Sequence, residues 1–321
     1  MQKVQESRSE SEQQSAPSAA LRSSPSLPLP VTVIVPARNE AANLPRCLES
    51  LRSAGEVYVI DSQSTDATVD VARSYGAQVV QFHYQGGWPK KRQWAMESLP
   101  LAYDWILLVD ADESLTPQLE QEIRSAIEDP AFDGYYIALR VHFLGRELRH
   151  CGASFYKLSL FRRGKGRYEC RLRDQDASMA DMEVHEHVMV EGKTAKLKHP
   201  LLHHNIESLS RYIRKHDEYS NWEARVWSRD RPDPTETGAE QLPPSLFGLQ
   251  AQRRRWLKRN FLALPGSSLL FFLYKYVWLL GFLDGVPGLI FCVFQGIQFF
   301  QVKAKIYELK IAAANTNSRK V

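Results

Sequence analysis

The chain has 321 residues, 44% apolar and 24% charged, with a formal net charge of only +4. That length accommodates one large or two modest domains with chain enough to bury a sizeable core. So small a net charge excludes a global field for nucleic acid. The four cysteines, Cys47, Cys151, Cys170 and Cys292, lack paired spacing, which excludes a disulfide framework and a zinc site and reads as reduced thiols in a cytosolic setting.

Residues 1–30 are rich in Ser, Gln, Glu and Pro and contain no aromatic residue. Such a segment cannot bury enough surface to offset its ordering entropy, so a disordered tail is expected, and no apolar run in it resembles a signal peptide. Residues 31–228 then alternate between strand and helix patterns. Val31–Val35 is a β-branched run, followed by the polar loop Pro36–Glu40 and a helical pattern with Leu44, Cys47, Leu48 and Leu51 on one face. Val57–Ile60 is a second strand ending in Asp61, Thr65–Tyr75 is helical, and Gln78–Gln81 is a third strand. Residues 90–99 are helical, and Trp105–Val109 is an apolar strand closed by Asp110-Ala111-Asp112-Glu113. Thr116-Pro117 opens another helix with Thr as N-cap and Pro in the first turn. Strands near Gly134–Val141, Leu158–Arg162 and Val188–Val190 are expected to complete a mixed sheet. Strand–helix alternation of this kind implies an α/β fold with parallel, buried strands and right-handed crossovers.

Residues 229–244 are polar and proline-rich and read as a linker. Beyond it, over 245–310, the composition changes: from Phe261 to Phe300 only Lys275 and Asp284 are charged. The apolar segments Ser268–Leu283 and Val286–Val302 are each slightly shorter than the roughly 20 residues of a spanning helix. Arg253–Arg259 precede them and Lys303, Lys305 and Lys310 follow, so both ends are expected on the cytoplasmic side. A re-entrant or in-plane helical hairpin at the membrane surface is expected, with Trp256, Tyr274, Tyr276 and Trp278 at the interface and the basic run against anionic lipid. Residues 311–321 form a polar tail.

Two carboxylates leaving a buried strand, Asp110 and Asp112, stand where open α/β sheets bind ligands. They can hold a hard divalent cation and the ribose or phosphates of a nucleotide. The bland alternative is a solvated turn. Asp61 alone reads as a turn residue or helix cap, the more frequent role for an Asp after a strand. Lys90-Lys91-Arg92 reads as a helix start with cations on the wrong end of its dipole, a misplacement that an anionic ligand would correct. No glycine-rich phosphate loop is present.

Val-Ile-Val-Pro-Ala-Arg-Asn-Glu (33–40), Val-Ile-Asp-Ser-Gln-Ser-Thr-Asp-Ala-Thr (59–68), Lys-Lys-Arg-Gln-Trp-Ala (90–95) and Leu-Val-Asp-Ala-Asp-Glu (108–113) occur in this order at successive predicted strand ends. Together they resemble the family 2 glycosyltransferases, in particular bacterial enzymes of lipopolysaccharide core and exopolysaccharide synthesis. The resemblance spans about residues 31–225 and implies a GT-A fold, with Rossmann-like nucleotide-sugar binding and inverting transfer. It implies a base pocket lined by Pro36, Ala37, Arg38, Asn39 and Glu40, with Asp61 on the base or ribose. The family often has two acids at the latter place, where this chain has Asp61-Ser62. Lys91 and Arg92, with Lys90 beside them, would meet the diphosphate. Asp110 and Ala111 would contact the ribose or a metal water, and Asp112 would bind Mg²⁺ or Mn²⁺, with His203, or else His204, as a further ligand. In Asp181–His187 the Val-His-Glu triplet resembles a recurrent motif of the family. It implies Glu186 as general base with His185 positioning it, and Asp181 and Glu183 in reserve. The implied partners are a nucleotide sugar, a UDP-sugar foremost, and a lipid-linked glycan at the cytoplasmic face of the plasma membrane. A sugar nucleotidyltransferase would want glycines in the Pro36–Glu40 loop. A non-catalytic nucleotide-sugar-binding protein would not need Asp110, Asp112 and Glu186 together.

Overall fold

The computed structural model describes residues 27–176, 179, 181, 183, 186–205, 208–228, 242–248 and 250–318. The expected tail up to residue 26, linker residues 229–241 and His185 lie outside the described residues.

The chain runs β1 (Leu29–Ala37), α1 (Leu44–Ser50), β2 (Ala54–Asp61), α2 (Thr68–Ser74), β3 (Gln78–Gln81), α3 (Lys91–Ser98), β4 (Trp105–Leu108), β5 (Glu113–Ser114) and α4 (Pro117–Ala126). It continues through β6 (Gly134–Phe143), β7 (Arg146–Glu147), β8 (Phe155–Arg162), β9 (Gly166–Tyr168), β10 (Val188–Val190), β11 (Thr194–Lys196) and β12 (Leu201–Asn205). Four helices follow: α5 (Leu209–Ser228), α6 (Gln250–Ala263), α7 (Ser267–Leu273) and α8 (Gly285–Ser318). A π-helical turn, Tyr274–Trp278, and a 3₁₀ turn, Gly281–Asp284, separate the last two.

Ten strands form one mixed sheet whose main path is β3-β2-β1-β4-β8-β6-β12-β5. β1 is flanked in parallel by β2 (Val33 opposite Val57) and by β4 (Val33 opposite Leu107). The chain therefore leaves β1 in one direction and returns on its other side. That reversal is a switch point of the kind beside which α/β proteins bind ligands, outside the carboxyl ends of β1 and β4. Period-two alternation places Val31, Val33, Val35 and Leu107 on one face, against Leu44, Leu48, Leu119 and Ile123 of α1 and α4. Ile34, Ile60, Ile106 and Leu108 face the other way, against Ala95 of α3 and Phe82. Thr116 caps α4 as its position predicts, its hydroxyl accepting from Leu119 N at 3.1 Å.

Two expectations are corrected. Val188–Val190 does not join the main sheet; it pairs antiparallel with β9 in a separate two-stranded ribbon. Pro30 and Leu29 belong to β1 rather than to the tail.

The apolar C-terminal region is not set apart from the α/β domain. Val141, Phe143, Leu148 and Cys151 of the sheet region form a core with Tyr212 of α5 and Cys292 of α8, covered by Phe272, Tyr276, Phe291 and Phe294. Asp284, buried at the hairpin turn, accepts from Arg149 N (3.1 Å), His150 N (2.9 Å) and His150 Nδ1 (3.0 Å). Lys275 donates to the Cys151 carbonyl at 3.1 Å. The two charges that interrupt the apolar run are thus ties to the sheet. Asp284→Ala should leave three donors unmatched in a buried site and cost about 3 kcal/mol of stability. Urea denaturation of the full-length protein measures this, and a loss below about 0.5 kcal/mol would show that the turn is not an anchor.

Candidate active site

The loops after β1 and β2 are knitted together by side chains. Asn39 N donates to Ser64 Oγ at 2.7 Å, Thr65 N to Asn39 Oδ1 at 2.8 Å, and Glu40 N to Thr68 Oγ1 at 2.8 Å. Asn39 and Gln63 hold positive φ of 56° and 54°, and the two hydrogen bonds of Asn39 hold its backbone there. Asp61 is fully buried and accepts from Ser64 N (3.1 Å), Ser64 Oγ and Gln81 Nε2 (2.9 Å). It braces the loop in this structure. Glu40 is buried beneath α5, accepting from Arg211 at 2.7 Å and pairing with Lys215 at 3.5 Å. Burial raises its carboxyl despite Lys215. Pro36, Ala37 and Arg38 complete this wall, and Arg38 O accepts from Arg211 at 3.1 Å.

Past β4 the acidic triplet divides its labour. Asp110 pairs with Arg92 through Oδ1 and with Lys157 of β8 through Oδ2 at 3.0 Å. These cations hold its carboxyl well below the usual range, against burial. Glu113 is buried, accepts from Asp110 N at 2.8 Å and lies 3.4 Å from Lys157. Burial, with Asp110 beside it, pushes Glu113 up. Ala111 is buried between them. Asp112 turns the other way, towards His203 of β12, which lies beside β5 with His203 opposite Glu113. Asp112 Oδ1 and His203 Nδ1 stand 3.4 Å apart. That ring nitrogen is buried and has no hydrogen-bond partner among the described residues. An imidazole nitrogen without a hydrogen bond, 3.4 Å from a carboxylate, fits a divalent cation held by the two. Among the described residues no group of three or more such side chains is gathered for a metal. His204, on the opposite face of β12, stacks on His142 at 4.9 Å, contacts Ser114 at 3.2 Å and is driven down to about 4, chiefly by burial.

Lys90, Lys91 and Arg92 are buried, and each meets an acid of the 181–186 loop. Lys90 pairs with Glu186 at 3.0 Å, Lys91 with Asp181 at 3.2 Å, and Arg92 with Glu183 at 3.7 Å. The Glu183 carboxylate also accepts from Arg92 N (3.2 Å) and Gln93 N (2.9 Å), capping α3. The cations at this helix start are therefore met by acids of the chain itself. Lys91 and Arg92 face these acids and Asp110, whereas Lys157, which sequence reading passed over, is the partly open cation, 20% exposed. Glu186 is buried, also accepts from Arg171 N at 3.4 Å, and burial outweighs Lys90 to lift its carboxyl to about 7.

Lys157→Met would leave Asp110 with Arg92 and take from Glu113 the lysine 3.4 Å away. A buried charge stripped of its partner costs about 3–5 kcal/mol. Protonation of Glu113 relieves the clash, and its raised folded value makes acid favour the folded state. The stability deficit against wild type should therefore be largest at pH 8 and shrink towards pH 5. Paired denaturation curves at the two pH values read this, and a pH-independent deficit would contradict it.

Residues 32–188 match the family described as Glycosyl transferase family 2. The lipopolysaccharide core biosynthesis glycosyltransferase LpsC of Rhizobium meliloti is 30% identical over 222 residues, 64% of this chain and 74% of that protein. An uncharacterized glycosyltransferase of Rickettsia bellii is 37% identical over 106 residues, covering 33% of this chain and 35% of its own length. The crystal structure of S. aureus TarS aligns over 86% of this chain and 55% of its own, at 14% identity and a TM-score of 0.39. The match runs from β1 through the acidic triplet into the loop that bears Glu186, and it extends across most of one curated relative. This chain belongs to the family 2 glycosyltransferases, and its fold is α/β with one mixed sheet.

Proposed function

We propose that the protein moves a sugar from a nucleotide sugar, a UDP-sugar foremost, to a hydroxyl of a lipid-linked or envelope glycan, with inversion, at the cytoplasmic face of the plasma membrane. The observation that carries this is Glu186: a buried carboxyl lifted to about 7, tied through Lys90–Arg92 to the acid that closes β4. That is the ionisation a general base needs near neutral pH. The name of the Rhizobium relative supports an envelope glycan as acceptor.

In this reading Pro36–Glu40 and Asp61 flank the base, and Asp110 and Ala111 face the ribose. Asp110 keeps lone pairs for a hydroxyl although both oxygens already accept. Asp112 and His203 would hold Mg²⁺ or Mn²⁺, which supplies Lewis-acid neutralisation of the diphosphate. Lys157 adds positive charge beside it. The acceptor oxygen attacks the anomeric carbon opposite the diphosphate. The new C–O bond forms as the bond to the diphosphate oxygen breaks, and the nucleoside diphosphate leaves with the electron pair. Glu186 takes the hydroxyl proton, with His185 next to it in sequence as its proposed positioner.

The membrane reading is supported by surface and packing. One helix among the described residues, Gly281–Asn315, is long and apolar enough to cross a membrane. The first expected segment is broken into α7 and a π turn, and Leu280 at φ 57° ends it. α8 runs beside the charged helix α5, with Phe294 on Tyr212, Gln298 on His216 at 3.2 Å, and Lys305 on Asp217 at 2.6 Å. A crossing would drag α5 into hydrocarbon. On the outer side Val286, Leu289, Val293, Ile297 and Phe300 form an exposed stripe at helical spacing, with Trp278 79% exposed near its start. We therefore favour an in-plane hairpin, with Arg253, Arg254 and Arg259 near lipid head groups, each contributing about 1 kcal/mol.

Glu186→Gln should keep the thermal shift given by UDP with Mn²⁺ but lower turnover by about 10²-fold or more, whereas Asp112→Asn should lose the shift. In wild type the base must be ionised, so turnover should fall as pH drops through about 7. A Glu186→Gln enzyme with near-normal turnover would move the base to Asp181 or Glu183. On fractionation, high salt should loosen the protein from membranes and detergent should release it. Recovery as a detergent-free soluble monomer would sink the membrane reading.

A further inference from the structure

The basic run Arg253–Arg259 is not uniformly turned towards solvent. Arg253, Arg254 and Arg259 are exposed, but Arg255 is buried and Lys258 reaches the buried Glu223 at 2.5 Å. Arg255 grips Glu169 with both terminal nitrogens, Nη1 donating to Oε2 at 2.6 Å and Nη2 to Oε1, and Nη1 also donates to Leu242 O at 2.7 Å. Glu169 is fully buried just beyond β9. Its Oε1 accepts from His187 N at 2.8 Å, and its own N donates to His187 O at 3.0 Å. His187 is the residue after Glu186. Two residues beyond Glu169, Arg171 N donates to Glu186 Oε1 at 3.4 Å. The Arg171 guanidinium is held between the rings of Trp222 and Trp227, 5.3 Å and 5.2 Å from their centroids. Glu186 is thus bracketed: Lys90 holds one carboxylate oxygen, and the Glu169–Arg171 segment holds the other together with the adjoining backbone.

We propose that Arg255 is a positioning residue: through Glu169 and the His187 backbone, helix α6 sets the register of the loop that carries the base. Sequence alone gives Arg255 to the lipid. The structure gives it to the loop, on the helix that leads directly into the apolar hairpin. Removing it would leave the Glu169 carboxylate buried without its bidentate partner. The segment would have to open or shift to rehydrate that charge, and Glu186 would move with it. Any Glu169 charge left near Glu186 would also oppose ionisation of the base. The inference rests on Glu186 as the base, and its test separates the two.

Full-length Arg255→Met, Arg255→Lys, the charge-swapped Arg255→Glu/Glu169→Arg pair and Glu186→Gln would be compared in detergent with UDP-sugar and envelope lipid extract. The readings are turnover, its pH profile, and affinity for UDP with Mn²⁺. Arg255→Met should lower turnover about tenfold or more, leave UDP affinity within about twofold, and move the acid limb to higher pH. Arg255→Lys should recover part of the turnover, and the swapped pair more than either of its single changes. If Arg255→Met does not fold, Arg255→Lys and the swapped pair carry the same comparison through the acid limb. Turnover and acid limb unchanged while Glu186→Gln is inactive would overturn the positioning role alone. An active Glu186→Gln beside a slowed Arg255→Met would overturn the base assignment while leaving the loop dependent on Arg255. Parallel losses of turnover and UDP affinity with an unmoved acid limb would assign Arg255 to general stability and overturn the inference.

Discussion

Three consecutive cations buried at the start of a helix are untenable without anions, and the site is organised by that constraint. Lys90, Lys91 and Arg92 sit where the helix dipole already disfavours positive charge, with almost no water to screen them. Asp181, Glu183 and Glu186 answer them one for one. Each pair yields modest net stability, because desolvation consumes most of the Coulomb gain. What the pairs supply is register: a sliding loop would leave a charge stranded. Asp181, Glu183 and Glu186 are thereby held against the start of α3, and the same burial brings Glu186 to about 7.

A second network locks the first to the sheet. Arg92 reaches past Glu183 to Asp110, and Asp110 shares Lys157 with Glu113. The acids after β4 therefore differ in character although they are neighbours in sequence. Asp110 and Glu113 are engaged by Lys157, and Asp110 by Arg92 as well, while Asp112 lies beside the His203 imidazole with Arg46 nearby. Environment, not residue type, separates a bracing acid from one open to a cation.

Much of the α/β half is legible in the sequence because buried parallel strands are continuous apolar runs, and the polar residues after them mark where each strand ends. Val31–Val35, Val57–Ile60 and Gln78–Gln81 fall within strands of the sheet, and Trp105–Val109 overlaps β4. Long-range pairing is not legible. Lys157 reaches Asp110 because β8 runs antiparallel to β4, with Trp105 opposite Arg162. His203 reaches Asp112 because β12 lies beside β5. No local pattern announces either register, nor that Val188–Val190 pairs with Gly166–Tyr168. The C-terminal region misleads for a different reason. Apolar composition does not say what a residue faces: Cys292, Phe291 and Phe294 pack on the sheet region, while Val293, Ile297 and Phe300 look outward from the same helix.

The central claim is that this site transfers a sugar rather than activating or sensing one. Full-length protein incubated with labelled UDP-sugars, divalent cation and envelope lipid extract tests it directly. The account predicts UDP release matched by label in a lipid-extractable glycan, with the anomeric configuration inverted relative to the donor. Pyrophosphate turnover in place of UDP release would point to a nucleotidyltransferase. Donor bound but unchanged, with acceptor and cation present, would mean that Glu186 is not a catalytic base and that this fold serves binding alone.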